Sequence, residues 1–205
     1  MIVFMISFLL VAYLLGSVPF SYILGKLIKK LDIRQHGSGN VGATNALRVL
    51  GTKYGVLALI LDALKGAAPI LIARALFPEI SDLFLILVGL FAILGHIFTI
   101  FLRFKGGKGV ATSAGVFAAL IPTAVVFALF VFVITVAISR YVSLGSILAA
   151  ITLLIVSLIR NIQLGFTELE LLIFVALIVI FIIFKHRSNI KRLINGNENK
   201  ISFKK

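Results

Sequence analysis

The sequence predicts an all-α fold, a polytopic integral membrane helical bundle of about seven transmembrane helices. Three observations predict it. Of 205 residues, 61% are hydrophobic, well above the share of a soluble domain. The apolar residues gather into runs of membrane length. The charged residues fall mainly between these runs, with 20 Lys and Arg against 7 Asp and Glu. A net charge of +13 in a soluble chain would point to nucleic acid. Here the positive-inside rule accounts for it, and a nucleic-acid partner is rejected. Cysteine is absent, which excludes disulfides, a thiolate nucleophile and a thiolate metal site. Residues 1–205 read as a single membrane domain with a polar tail from about residue 196.

The apolar runs cover 2–25, 55–77, 83–102, 110–139, 141–160 and 169–185. The first lacks a basic n-region and a small-residue cleavage site, so it reads as an uncleaved span. The fourth is too long for one span and carries Pro122 at its middle, so it reads as two short helices breaking across Ala119–Pro122. Charge supports the split. With seven spans, one side holds Lys26, Lys29, Lys30, Arg34, Arg48, Lys53, Arg103, Lys105, Lys108, Arg140 and the basic tail from Lys185 to Lys204 and Lys205. The other side holds Arg74 and Arg160, with Glu79, Asp82, Glu168 and Glu170. With one helix fewer, the tail would lie away from the other basic loops. The N-terminus is therefore placed outside and the C-terminus in the cytoplasm. Each half of 110–139 is expected to be short, needing thinning, tilt or shielding by neighbours. The tail beyond Gly196 is expected to fray. No internal repeat is evident.

Four polar clusters fall on the inferred cytoplasmic side. The first is Gly37-Ser38-Gly39-Asn40-Val41-Gly42-Ala43-Thr44-Asn45, followed by Arg48. Its glycines let several N–H groups converge on one anion, as a phosphate site requires. The spacing matches G-x-G-x-x-G, but a membrane span precedes it where a dinucleotide fold needs a strand. The plainer alternative is a flexible turn with Thr44 or Asn45 capping the next helix. The second cluster is Asp62 and Lys65, three apart on one helical face within a span, followed by Gly66. It reads as a self-neutralising pair or as a pair that shapes a cavity. The third runs from Gly95 and His96 to Lys105-Gly106-Gly107-Lys108-Gly109. Two cations and exposed N–H groups at a helix start favour an anion. The alternative is ordinary basic residues meeting lipid headgroups. His96 is either a structural imidazole or a proton-transfer group. The fourth, His186 to Leu193, reads by composition as a positive-inside stop signal; its company makes His186 and Asn189 site candidates.

Together these blocks resemble the bacterial acyl-phosphate:glycerol-3-phosphate acyltransferase family (PlsY). The matching stretches are GSGNVGATNALRVLG at 37–51, LDALKG at 61–66, GHIFTIFLRFKGGKGVAT at 95–112 and HRSNIKRLINGNENK at 186–200. The resemblance implies seven helices in the bacterial plasma membrane, with the active site facing the cytoplasm. It implies transfer of an acyl group from acyl phosphate to the sn-1 hydroxyl of glycerol 3-phosphate, giving lysophosphatidic acid and inorganic phosphate. This is the first step of phospholipid synthesis. It implies neither cofactor nor metal, and makes an acyl-phosphate-producing enzyme at the cytoplasmic face a candidate partner. The His-(four residues)-Asp motif of other glycerolipid acyltransferases is missing after His36, His96 and His186.

By carry-over, Ser38, Asn40, Thr44 and Asn45 hold the acyl-phosphate head, with Gly37, Gly39 and Gly42 shaping the loop. Arg48 and Lys108 take glycerol phosphate, supported by Lys105, Gly106, Gly107 and Gly109. Asp62, Lys65 and His96 line the site, and His186 and Asn189 close it. The catalytic candidates are Ser38, Lys108, His186 and Asn189. The proton acceptor is a phosphate oxygen of the donor, or else His186 or His96. The rival functions are a small anion transporter, which would need polar groups near the midplane and a repeat, and a non-enzymatic lipid-binding protein.

Overall fold

Apolar runs in a bilayer must satisfy their own backbone, so the chain forms helices wherever it crosses. The computed structural model describes residues 2–201, and every helix or turn within them is helical or irregular, with no strand. Lys204 and Lys205 of the basic tail lie outside the described residues. The chain divides into two units, one running to Leu120 and the other starting at Ile121.

The first unit holds α1 (Ile2–Ser17), α2 (Phe20–Lys29), α3 (Ala43–Leu50), α4 (Thr52–Leu76), α5 (Asp82–Ile97) and α6 (Val110–Leu120). α1 and α2 together make one membrane-length segment, interrupted at Val18 and Pro19. Pro19 has no N–H and its ring blocks continuation, so the break falls there. The first span expected over the apolar run 2–25 is thus present as two successive helices. α2 ends at Lys30, whose left-handed backbone (φ 53°) lets its N–H reach the Gly25 carbonyl.

The outer, lipid-facing side is apolar, and the interior mixes apolar residues with buried polar ones. Leu57, Ile60, Leu64 and Leu71 of α4 are exposed, while Asp62 and Lys65 are buried. Small residues bring the backbones together. A Cβ on Gly16 of α1 would collide with the Ala92 carbonyl of α5, and one on Gly95 with the Tyr13 carbonyl. The α4–α6 crossing repeats the device, with Gly66 against the Thr112 carbonyl and Gly115 against the Ala63 carbonyl. Contacts climb α4 and α6 together. Gly66 meets Thr112, Ile70 and Val116 both reach Gly89 of α5, and the Arg74 guanidinium donates to the Ala119 carbonyl at 2.6 Å. α6 therefore runs parallel to α4 and starts partway along it.

The second unit holds α7 (Pro122–Ser139), α8 (Val142–Gln163), α9 (Leu169–Lys185) and α10 (Arg187–Ile194). α7 and α8 turn through Arg140 in the left-handed region (φ 62°). α8 and α9 are joined by an Arg160–Glu168 ion pair of 2.6 Å and by the Asn161 amide donating to the Glu168 carbonyl at 2.7 Å. Glu168 is held below the usual glutamate range by the Arg160 hydrogen bond, which outweighs the upward push of burial. α10 bends 56° away from α9.

The expected break inside 110–139 occurs at Ile121, and Pro122 starts the next helix, where its missing N–H costs nothing. Only α6, at 11 residues, is short; α7 has 18 and is span-length, which corrects the expectation for that half. Among the described residues, five helical segments are long and apolar enough to cross a membrane, or six with α9 and α10 taken as one bent span. α6 is a shorter apolar helix beside them. The tail is not frayed within the described residues. Ile201 is buried and its N–H bonds to the Arg140 carbonyl at 2.9 Å.

Gly115→Val is expected to lower the thermal midpoint in detergent, since overpacking costs about 1–3 kcal/mol or more. Ala118→Val, at an exposed position of the same helix, is expected to leave the midpoint nearly unchanged.

Candidate active site

The first loop is built around one amide. Asn45 is buried; its Oδ1 accepts the Ser38 N–H at 2.8 Å, and its Nδ2 donates to the carbonyls of Ile33 (2.9 Å) and His36 (3.0 Å). Gly37 adopts φ +60° and presses against the Asn45 Oδ1, so a side chain there is excluded twice, by conformation and by space. Asn45 thus organises the loop from beneath. The sequence groups Asn45 with Ser38, Asn40 and Thr44 for the acyl-phosphate head; here its amide bonds to the loop's own backbone. The helix N-cap is Gly42, not Thr44 or Asn45, and it makes no side-chain cap bond. Thr44 and Arg48 lie one turn apart on α3, both half-buried. Ser38 and Gly39 are exposed, and Asn40 and Gly42 are partly so.

An apolar cluster under this loop gathers Ile33, Val41, Ala46, Leu50 and Ala58 with Leu102. Leu102 stands three residues before Lys105, so one core positions both candidate phosphate loops. Asp32 closes the approach to the loop. Its carboxylate accepts from the Arg34 side chain and backbone N–H, and the Arg34 side-chain hydrogen bond is the main cause of a pKa lowered to about 2.

The second loop follows α5. Thr99 Oγ1 donates to the Ser17 carbonyl at 2.5 Å, and the Tyr13 hydroxyl donates to the Phe98 carbonyl at 2.6 Å. Gly106 and Gly107 donate their N–H groups back to the carbonyls of Ile97 (3.0 Å) and His96 (3.2 Å). The chain then passes half-buried Lys108 and, through Gly109 at φ +85°, enters α6. Lys105 is exposed. Two cations therefore flank the N-terminus of α6, where the helix dipole and backbone N–H groups favour negative charge.

Behind that loop sit Asp62, Lys65 and His96. Lys65 Nζ lies 2.7 Å from Asp62 Oδ1 and donates to the Val18 carbonyl at 2.7 Å. His96 Nδ1 lies 3.7 Å from the same Asp62 oxygen. The three are packed together inside the first unit.

His186 and Asn189 belong to the second unit. His186 Nδ1 lies 2.8 Å from the Ile182 carbonyl, which can only accept, so that nitrogen carries a proton. Asn189 donates to Glu198 Oε1 at 2.7 Å; Ser143 reaches the same oxygen at 2.9 Å, and Arg192 reaches Oε2 at 2.7 Å. Sequence reasoning missed Glu198 as an organiser. Its nearest signal was Arg192, six residues earlier; the Ser143 contact, 55 residues away, leaves none.

The fold and the two loops define an all-helical integral membrane protein with glycine-rich, cation-bearing turns leading into helices. A family model described as Glycerol-3-phosphate acyltransferase matches residues 6–196. Glycerol-3-phosphate acyltransferase 2 of Bacillus anthracis is 50% identical over 193 residues, covering 94% of this chain and 97% of that protein. Glycerol-3-phosphate acyltransferase of Chlorobaculum tepidum is 43% identical, with 97% of each chain covered. A crystal structure of PlsY, an integral membrane glycerol 3-phosphate acyltransferase, in its glycerol 3-phosphate form is similar at a TM-score of 0.85 and 42% identity, covering 97% of this chain and 96% of that one. Its lysophosphatidic acid form gives 0.83 and 41%. The chain belongs to the glycerol-3-phosphate acyltransferase family.

Burial raises the Glu198 pKa, but the hydrogen bonds from Asn189, Arg192 and Ser143 and the Arg192 charge bring it below the usual 4.5. A folded value below the unfolded one contributes stability that is present above 4.5 and lost as pH falls beneath it. Thermal midpoints measured from about pH 7 to about pH 3 are expected to fall less steeply in Glu198→Gln, from a lower starting value.

Proposed function

We propose that this protein transfers the acyl group of acyl phosphate to the sn-1 hydroxyl of glycerol 3-phosphate. The products are lysophosphatidic acid and inorganic phosphate, and the site faces the cytoplasm from the bacterial plasma membrane. The observation that carries the reading is the end-to-end likeness to a PlsY structure in its glycerol 3-phosphate form. The physical arrangement supports it. Both substrates are anions, and their mutual repulsion must be offset by cations and N–H donors. Ser38, Asn40 and Thr44, with Gly37, Gly39 and Gly42, serve the donor's phosphate. Arg48 and Lys108 serve glycerol phosphate, with Lys105 in support. His186 and Asn189 take their assigned roles from the motif that carries them.

The hydroxyl oxygen attacks the carbonyl carbon of the acyl phosphate. The bond from that carbon to the bridging oxygen breaks, and phosphate leaves with it. The hydroxyl proton passes to an oxygen of the departing phosphate, which becomes more basic as the bond to the acyl carbon breaks. Carboxylates suited to act as base are already engaged. Asp32 is held by Arg34, Asp62 by Lys65, and Glu198 by Asn189, Arg192 and Ser143. Oriented binding contributes several kcal/mol, and N–H donors at the developing oxyanion add to it.

The cytoplasmic placement is supported by the basic loops and by the parallel course of α6 and α4, which carries the chain back to the far side before α7. Single cysteines at Lys53 and Glu79 are expected to react with an impermeant reagent from opposite sides of a vesicle; labelling from one side overturns this topology.

Purified protein given palmitoyl phosphate and glycerol 3-phosphate is expected to release inorganic phosphate, and acyl-CoA is not expected to replace the donor. Release independent of glycerol 3-phosphate, or none, overturns the reading. Arg48→Ala and Lys108→Ala are expected to raise KM for glycerol 3-phosphate by about tenfold or more, since each removes a charge-assisted bond of about 1.5–3 kcal/mol. A fall in kcat of several orders in His186→Gln, with KM unchanged, makes His186 the base in place of the phosphate.

A further inference from the structure

We infer that Asp62, Lys65 and His96 serve the reaction without touching either substrate, as positioning residues that seat the 105–109 loop. The inference rests on the function proposed above, because the loop is positioned for that reaction.

The contacts form a continuous linkage. It starts at the interruption between α1 and α2, where the Val18 carbonyl accepts from Lys65 Nζ and the Phe20 ring lies 5.6 Å from that ammonium. Lys65 pairs with Asp62 at 2.7 Å, and the Asp62 oxygen faces the His96 ring. The far side of that ring faces the loop. A Cβ on Gly107 would collide with His96 Nε2, and one on Gly106 with the His96 and Ile97 carbonyls. The same two carbonyls accept the Gly106 and Gly107 N–H groups. The loop therefore lies flat on residues 96 and 97, and the imidazole sets how closely it approaches. Lys108 is the next residue.

Burial argues against a substrate contact for these three. Their side chains keep only 2% (Asp62), 5% (Lys65) and 6% (His96) of their exposure. The Lys65 charge is already balanced by Asp62, so it attracts no further anion. What the linkage supplies is a fixed depth and tilt for the Gly106–Lys108 backbone. A displacement of about 1 Å at such a place can cost about a hundredfold in rate.

The test exploits the contact between ring and glycine. Gly107→Ala is expected to lose about a hundredfold in kcat/KM. His96→Ala alone is expected to raise KM for glycerol 3-phosphate by about tenfold while kcat changes about threefold or less, because the seat loosens without loss of a reacting group. The double variant G107A/H96A makes room for the new methyl and is expected to recover about tenfold over G107A. A double variant no better than G107A, or an H96A that loses kcat by orders of magnitude, overturns the inference and gives His96 a direct role. So does a fully active G107A. Where G107A does not fold, recovery of a cooperative thermal transition in G107A/H96A supports the inference, and its continued absence overturns it. The thermal readout also separates this inference from the proposed reaction: a wild-type protein inactive on both substrates sinks the reaction, while the ring and glycine pairing is still read from the midpoints.

Discussion

A backbone carbonyl inside a bilayer has no water to turn to, and leaving it unpaired costs several kcal/mol. That constraint governs the first unit. The interruption at Pro19 frees carbonyls at Ser17 and Val18, and the end of α6 frees one at Ala119. Thr99, Lys65 and Arg74 donate to these three groups. Two of these donors, Lys65 and Arg74, are ionisable residues of a kind that membrane spans rarely hold. The polar interior is thus in part a consequence of broken helices, and the broken helices are what bring irregular, N–H-rich backbone to the proposed site.

Close packing completes the arrangement. Between membrane helices the hydrophobic effect offers little, so backbones approach through small residues. The paired contacts of Gly16 with Ala92 and of Gly66 with Thr112 leave no room for larger side chains. They hold α1 against α5, and α4 against α6. Since α6 begins where the lysine-bearing loop ends, its placement against α4 is also the placement of that loop. The apolar cluster through Leu102 and Val41 then ties the first loop to the second.

Much of this was legible in the sequence. Hydropathy located the membrane-length helices, and Pro122 located the break at Ile121. Pro19 was passed over because it lies late in an apolar run, where one proline does not interrupt hydropathy. The glycine and amide pattern of 37–45 marked the first loop, but the role of Asn45 did not show. Its partners are backbone groups of Ile33, His36 and Ser38, which carry no side-chain signature. Glu198 was hidden for a different reason. It sits in a polar tail whose composition reads as frayed, and a tertiary bond to Ser143 leaves no local periodicity. Lys65 and Asp62 were visible as a pair, whereas the carbonyl that Lys65 also serves lies 47 residues earlier in the chain.

The short length of α6 has an electrical consequence. Thr112, near its start, meets Gly66 well along α4, so the lysine-bearing loop lies about 15 Å from the first residue of α4 at 1.5 Å per residue. A phosphate that reaches this loop has moved through part of the transmembrane voltage. A full crossing at 100 mV is worth about 2.3 kcal/mol per elementary charge. Under the cytoplasmic placement proposed above, an anion drawn inward from that face moves toward the positive side of the membrane and lowers its electrical energy. On that proposed placement, membrane voltage would assist anion loading in proportion to the depth at which α6 begins.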